Sequence, residues 1–141
     1  MKRRHSLPVT VGNLTIGGEA PISVQTMSTI TPADEERAVA DVRRLASYGA
    51  EIVRFAVPDM AAAKGLKAVT AASPVPIVAD IHFDYRLALE AVDSGVHALR
   101  INPGNIGADE NVVKVVEKVR SRQIPIRIGI NAGSLPEDLL E

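Results

Sequence analysis

The chain has 141 residues, no cysteine, a formal net charge of −1 and 23% charged side chains. That length allows one domain but falls short of a complete eight-stranded α/β barrel, which takes about 250 residues. The missing cysteines exclude disulfides and thiolate-bound metals within the chain, and the lack of a basic stripe or many aromatic rings excludes nucleic-acid binding. Because no apolar stretch is long enough to span a bilayer, we expect a cytoplasmic protein with no membrane contact.

The chain opens on a predicted β-hairpin, since two short β-type runs, 9–11 and 14–16, flank the turn pair Gly12-Asn13. Strand-like runs and segments of helical spacing then alternate. The predicted strands are Ile22–Met27, Glu51–Val57, Pro76–His82, Ala98–Asn102 and Ile126–Asn131. Successive strands begin roughly 25 residues apart, the length of one βα unit, and right-handed crossovers then make the sheet parallel.

Helix boundary signals agree with this alternation. Thr31, which precedes a proline, is the predicted N-cap of the first helix. Gly49 and Gly95 are predicted to end helices in the left-handed conformation. Ser134 and Glu137 have capping-box spacing and predict one more helix. No linker or second boundary interrupts the pattern, so residues 1–141 are interpreted as a single domain.

Polar side chains fall on only one face of the predicted sheet, because side chains alternate across a strand. That face carries Arg54 on the second strand, Asp80 and His82 on the third, Arg100 and Asn102 on the fourth, and Arg127, Gly129 and Asn131 on the fifth. An open doubly wound sheet is covered by helices on both faces and should be apolar on both. The pattern therefore favours an α/β fold of about five parallel strands forming part of a (β/α)8 (TIM) barrel, whose inner face forms the active site.

The inner face is predicted to bind an anion. Arg54, Arg100 and Arg127 against Asp80 leave an excess of two positive charges, and burying unpaired charges costs several kcal/mol each. Arginine suits the bidentate recognition of phosphate or carboxylate. Glycine-rich turns at 102–107 and 131–134 would add backbone N–H groups. The alternative is that each arginine pairs with a carboxylate from further strands.

Asp80 and His82, two apart on one face, could bind substrate hydroxyls or move a proton. The simpler alternative is a polar pair that orients its neighbours. We favour substrate positioning over proton transfer, because no nucleophile stands beside a base. A metal site is not predicted, since no third ligand accompanies the pair.

Five segments resemble one enzyme family, in the same order along the chain. They are PISVQTM (21–27), IVRFAVPD (52–59), VADIHFDYR (78–86), LRINPGNIG (99–107) and IRIGINAGSL (126–135). The family is hydroxymethylbutenyl diphosphate synthase, also called IspG or GcpE, of the methylerythritol phosphate (non-mevalonate) pathway of isoprenoid biosynthesis. The resemblance covers the N-terminal part of its barrel domain.

The resemblance implies the reductive conversion of 2-C-methyl-D-erythritol 2,4-cyclodiphosphate to 4-hydroxy-3-methylbut-2-enyl diphosphate. It implies a 4Fe-4S cluster and electrons from ferredoxin or flavodoxin. In the family, arginines matching Arg54, Arg100 and Arg127 grip the diphosphate. The positions that line the same pocket match Asp80, His82, Asn102 and Asn131.

The family's barrel continues beyond this sequence, and its cluster is bound by cysteines of a C-terminal iron–sulfur domain that this chain lacks. We therefore expect a truncated chain that does not bind the cluster, is inactive alone, and self-associates or forms a homodimer through its open edges. Two other interpretations stay open: an inert or anion-binding half-barrel, and a barrel of the dihydropteroate synthase type, whose own motifs are not found.

Overall fold

The computed structural model describes residues 4–130 and 133. Its strands form two sheets. The first is an antiparallel hairpin of β1 (Val9–Val11) and β2 (Leu14–Ile16). The second is parallel and has the order β3-β4-β5-β6-β7. Its strands are β3 (Gln25–Met27), β4 (Ile52–Ala56), β5 (Ile77–Ile81), β6 (Ala98–Ile101) and β7 (Ile126–Ile128). The predicted hairpin and the five parallel strands are thus confirmed.

One helix follows each of β3 to β6. These are α1 (Glu35–Ser47), α2 (Met60–Ala72), α3 (Tyr85–Asp93) and α4 (Asp109–Arg122). Aspartates cap the first three, since the side chains of Asp34, Asp59 and Asp84 each accept a hydrogen bond from a backbone N–H of the first turn. The predicted βα units are therefore confirmed. Because the strands are parallel, their carboxyl ends all lie at the same end of the sheet.

The predicted start of the first helix is wrong by one turn. Thr31 accepts a hydrogen bond from the N–H of Asp34 in a tight turn, and Asp34 is the N-cap. The reason is tertiary packing: the carbonyl of Pro32 lies against Gly65 of α2, which holds 31–34 outside the helix. The predicted left-handed glycines are confirmed, with φ of 95° at Gly49 and 87° at Gly95.

The first parallel strand is also shorter than predicted. Pairing with β4 begins at the carbonyl of Val24, whereas the N–H of Val24 is bound by the side chain of Glu51 rather than by another strand. Ile22, which was predicted to lie in the strand, is 81% exposed. At the other edge, the turn from 131 and the helix predicted from Ser134 and Glu137 lie outside the described residues, apart from Gly133.

The two faces of the parallel sheet bury different sets of side chains, as the alternation predicted. The outer face packs on the helices through residues such as Phe55, Ala79 and Leu99, all fully buried. The inner face has an apolar lower layer of Ile52, Val78 and Ala98. The hairpin covers this layer with Val11 and Leu14. On each of these three strands the charged residue of the inner face, Arg54, Asp80 or Arg100, follows two positions after the apolar one.

Candidate functional site: an arginine cluster on the inner face

Asp80 lies at the centre of the polar layer of the inner face. Its Cα pairs in register with Arg100 on β6, which in turn pairs with Arg127 on β7. Its carboxylate is almost fully buried, with 6% of the side chain exposed, and contacts two guanidinium groups. Arg100 Nη1 donates a 3.3 Å hydrogen bond to Asp80 Oδ1, and Arg54 Nε lies 3.4 Å from Oδ2. One carboxylate thus faces two positive charges.

Arg54 is held from two sides but is not fully satisfied. Its Nη2 contacts the sulfur of Met27 at 3.5 Å. Its Nε is buried and, although near Asp80, is not aligned to donate a hydrogen bond. The distance between Arg54 Nε and Asp80 Oδ2 therefore overstates this ion pair, which lacks a hydrogen bond. A buried donor that lacks an acceptor costs stability, so this pair is weaker than the contact between Arg100 and Asp80.

Arg127 shows that the sheet is strongly curved. Its Nη1 donates a 3.1 Å hydrogen bond to Gln25 Oε1, although β7 and β3 are the two opposite edges of the sheet. In a flat sheet these edges would lie about 19 Å apart, too far for the two side chains to meet. The edges instead curl toward each other across the concave inner face. This curvature is that of a partial barrel, as the one-sided polarity predicted.

The remaining predicted site residues lie around this layer. His82 follows β5, has a half-exposed side chain, and places Nε2 at 3.8 Å from Asp80 Oδ1. Asn102 follows β6 and is buried, and its Oδ1 accepts a hydrogen bond from the N–H of Gly104 in the turn. Asn131 lies outside the described residues. The structure therefore places Arg54, Asp80 and Arg100 in direct contact, with His82 beside them and Arg127 in the next strand.

Sequence reasoning missed Gln25. Extending the alternation to β3 would have found it, because Gln25 is in register with Ile52 of the inner face. Its amide oxygen is a polar partner of Arg127 at the far edge, and nothing in the linear sequence connects residues 102 positions apart. Alternation thus predicts the face on which Gln25 lies, whereas its contact with Arg127 depends on the curvature of the sheet.

A cleft lies beneath the cluster rather than at it. It has a volume of about 620 Å³ and is lined chiefly by the hairpin and the apolar lower layer, with Gln25 and Arg127 at its rim. Arg54, Asp80 and Arg100 do not line it. An anion needs donors and positive charge, so we place the candidate site at the arginine cluster above the apolar cleft.

Shifted pKa values are found in residues that support the fold around the site. Hydrogen bonds from Arg86 lower the pKa of Asp84, the cap of α3. Burial alone would raise the pKa of Asp41, but hydrogen bonds from Ser28 and Arg44 outweigh it and the pKa is lowered. Burial lowers the pKa of His97, whose Nδ1 accepts a hydrogen bond from the N–H of Ile77 beneath the sheet. These groups fix the ends of strands and helices that carry the cluster.

Neither a cluster of metal-ligating side chains nor a membrane-spanning helix is found in the described part of the chain. No three His, Cys, Asp or Glu side chains within residues 4–130 are grouped so as to hold a metal ion. The chain also has no cysteine with which to ligate an iron–sulfur cluster. Among the described helices, none combines the length and apolar character needed to cross a bilayer.

Comparison with solved structures agrees with the barrel architecture. Dihydropteroate synthase from Yersinia pestis matches 87% of this chain with 46% of its own length, at a TM-score of 0.60 and 16% identity. Dihydropteroate synthase from Xanthomonas albilineans matches 93% of this chain with 52% of its own, at a TM-score of 0.62 and 15% identity. Identities this low establish a shared fold and nothing about the reaction.

Sequence comparison is far more specific. The chain is 54% identical over 137 residues to 4-hydroxy-3-methylbut-2-en-1-yl diphosphate synthase (flavodoxin) of Dehalococcoides mccartyi, and 52% identical over 139 residues to the enzyme of that name from Magnetococcus marinus. These matches cover 97% and 99% of this chain but 39% and 38% of the relatives, so the chain spans about two-fifths of their length.

The model of one protein family covers nearly the whole chain. The match runs over residues 6–141 and therefore includes the hairpin and every strand of the parallel sheet. The partial barrel seen in the structure agrees with the description of this family. The chain belongs to the GcpE TIM-barrel domain family.

Proposed function

We propose that this chain forms the diphosphate-binding part of the barrel of a 4-hydroxy-3-methylbut-2-enyl diphosphate synthase. In the full-length enzyme, the reaction is the reductive conversion of 2-C-methyl-D-erythritol 2,4-cyclodiphosphate to 4-hydroxy-3-methylbut-2-enyl diphosphate. One observation carries the proposal: Arg54 and Arg100 converge on the single buried carboxylate of Asp80, with Arg127 in register beside Arg100. The relatives named above support the identity of the reaction.

The charge of the cluster favours a polyanion. Asp80 is the carboxylate that contacts Arg54 and Arg100, and the contact of Arg127 is a neutral amide, so the cluster keeps an excess of two positive charges. Each guanidinium can give paired N–H donors to phosphate oxygens. Asp80 holds the guanidinium of Arg100 by a hydrogen bond before the ligand arrives, which reduces the ordering cost of binding. A cyclic diphosphate has negative charge that balances this excess, and it has phosphate oxygens that accept hydrogen bonds from the guanidinium groups.

His82 and the asparagines complete the proposed site. His82 reaches from the carboxyl end of β5, beside Asp80, to where substrate hydroxyls would lie above the bound phosphates. It would bind a hydroxyl or transfer a proton there, with Asp80 orienting the ring. Asn102, which follows β6, and Asn131, which lies outside the described residues, are the further proposed substrate-binding residues.

The redox part of the reaction is not assigned to this chain. The residues present do not fit a thiolate-bound 4Fe-4S cluster, because the chain contains no cysteine. We assign the cluster, and contact with the electron donor, to the part of the relatives that this chain does not match. The donor is ferredoxin or flavodoxin, and the names of the relatives favour flavodoxin. We further propose a cytoplasmic homodimer, and we expect residues 1–141 alone to be inactive in turnover.

Isothermal titration calorimetry with the cyclic diphosphate tests the proposal. We expect binding by the chain and a loss of affinity of roughly tenfold or more in Arg54→Ala and in Arg100→Ala. Arg43→Ala, an exposed arginine of α1, is the matched control and should bind as the parent chain does. Absence of heat with the parent chain, or equal losses in all three variants, would contradict the proposal and favour an inert half-barrel. Tighter binding of a pterin than of the diphosphate would favour the dihydropteroate synthase type.

A further inference from the structure

Gly129 and Arg100 occupy adjoining space on the inner face. Gly129 follows β7 two positions after Arg127 and therefore points to the same side of the sheet. A Cβ built on Gly129 would overlap Arg100, 2.8 Å from Cζ and closer still to Nε. The backbone of Gly129 is fixed there, because its N–H donates a 2.9 Å hydrogen bond to the carbonyl of Ile101. The guanidinium of Arg100 thus lies directly over the backbone of Gly129.

Backbone conformation does not explain this glycine. The described glycines with positive φ include Gly49, Gly95 and Gly107, whereas Gly129 does not have a positive φ. A left-handed backbone therefore does not require glycine at this position, and glycine where it is not required usually costs stability. Glycine at such a position often marks a close approach by another group. Here the approaching group is the side chain of Arg100.

We infer that Gly129 is a positioning residue for the anion site, acting by leaving the space in which the Arg100 guanidinium rests. Arg100 lies between this backbone and the carboxylate of Asp80, 3.3 Å away. Any side chain at 129 pushes the guanidinium off the backbone and out of line with Arg54 and Arg127. Because only the end of a flexible side chain must move, the fold itself tolerates alanine at 129. The expected effect on ligand affinity rests on the proposed function. The steric contact between Gly129 and Arg100 does not depend on it.

A double-mutant cycle with inorganic pyrophosphate as probe tests this inference by calorimetry. We expect Gly129→Ala to lower pyrophosphate affinity roughly tenfold or more. In an Arg100→Ala background the same change should have no further effect, because the displaced group is gone. Gly49→Ala is the control. It is strained by its φ of 95° but has no atom within 4 Å of its added Cβ, so it costs stability without touching the site.

Two outcomes would overturn the inference. One is a Gly129→Ala chain that binds pyrophosphate within about twofold of the parent, and the other is an equal loss with and without Arg100. If the parent chain binds no pyrophosphate, the proposed function fails, and urea unfolding of the same four proteins decides the steric claim. Gly129→Ala should then lower the urea midpoint more in the parent than in the Arg100→Ala background. Additive midpoints would contradict it.

Discussion

Asp80 and Arg100 stand at the same register position of adjacent parallel strands, with 3.3 Å between Oδ1 and Nη1. Arg54 Nε approaches the other oxygen of Asp80 without a hydrogen bond, so Asp80 orients Arg100 more firmly than Arg54. In the proposed function, this contact holds Arg100 in place before an anion binds. That effect depends on the negative charge of Asp80.

Asp80→Asn should therefore destabilise the chain and increase its response to anions. Removing the charge leaves two guanidinium groups facing a neutral amide, and we expect a loss of about 1–3 kcal/mol in unfolding free energy, less than for a fully buried pair because both arginines keep some solvent contact. Pyrophosphate should raise the Tm of this variant more than that of the parent. Thermal unfolding with and without pyrophosphate measures both effects. Asp93→Asn, which loses a surface pair with Lys118, is the control.

Gln25 is a neutral partner of Arg127, and replacing it with a charged residue should change the affinity of the chain for pyrophosphate. Gln25→Glu would give Arg127 a carboxylate in place of an amide and so compete with a bound anion. We expect pyrophosphate affinity to fall about tenfold in Gln25→Glu. Gln25→Met removes the hydrogen bond without adding charge and should change the affinity only a few-fold. Calorimetry on both variants measures the difference, and equal affinities would show that Arg127 does not meet the ligand.

His97 should make the stability of the chain dependent on pH. Its Nδ1 accepts a hydrogen bond from Ile77 N–H, and burial lowers its pKa below the ordinary value of 6.5. The unfolded chain therefore takes up the proton first, and the unfolding free energy falls as the pH drops from 6.5 to the lower pKa of the folded state. Above 6.5 the stabilising effect is complete.

The measurement for His97 is urea unfolding between about pH 5 and about pH 8. His97→Asn keeps an acceptor near the position of Nδ1 but cannot take up a proton, so its stability should vary less over this interval. The acidic groups of the two proteins are the same and cancel in the comparison. Parallel pH curves for parent and variant would rule out this role for His97.

Gly65 should be intolerant of alanine even though it lies within α2. Glycine to alanine in a helix ordinarily stabilises by about 0.5–1 kcal/mol. Here the added Cβ would overlap the carbonyl of Pro32, with the carbonyl carbon at 2.7 Å, and neither backbone can turn away. We expect Gly65→Ala to lose about 1–3 kcal/mol by urea unfolding. Lys64→Ala, at the neighbouring exposed position, should stay within about 0.5 kcal/mol, and a stabilised Gly65→Ala would refute the packing described here.

The open edges of the sheet should drive association of residues 1–141. Within residues 4–130, β3 and β7 each pair with one strand, and Ile128 on β7 is 63% exposed. Light scattering should show a mass that rises with concentration. Ile128→Lys should shift the equilibrium toward the monomer. A parent chain that stays monomeric at high concentration would contradict this prediction.

Much of this fold could be predicted from alternation alone. Odd positions such as Phe55, Ala79 and Leu99 pack on helices, and the even positions Asp80 and Arg100 face inward, as their parity required. The reason is physical: an arginine side chain is more easily accommodated on the face of the strand that no helix covers, where it keeps some solvent contact. The alternation of apolar and polar side chains along the strands therefore predicted both the partial barrel and the face on which the charged cluster lies.

The features that could not be predicted depend on contacts between distant segments. The cap of α1 moved from Thr31 to Asp34 because Pro32 packs on another helix, which local propensity does not encode. Gln25 meets Arg127 only because the sheet curls. The contact between Gly129 and Arg100 could not be predicted, because it depends on the direction of the Arg100 side chain.

The most direct test follows the side-chain NεH signals of Arg54, Arg100 and Arg127 by NMR during a pyrophosphate titration. Each signal can be assigned by replacing its arginine with lysine. If the three guanidinium groups share one ligand, all three signals will shift with a single common Kd. Signals that shift with different Kd values, or a shift confined to one arginine, would contradict a shared anion site.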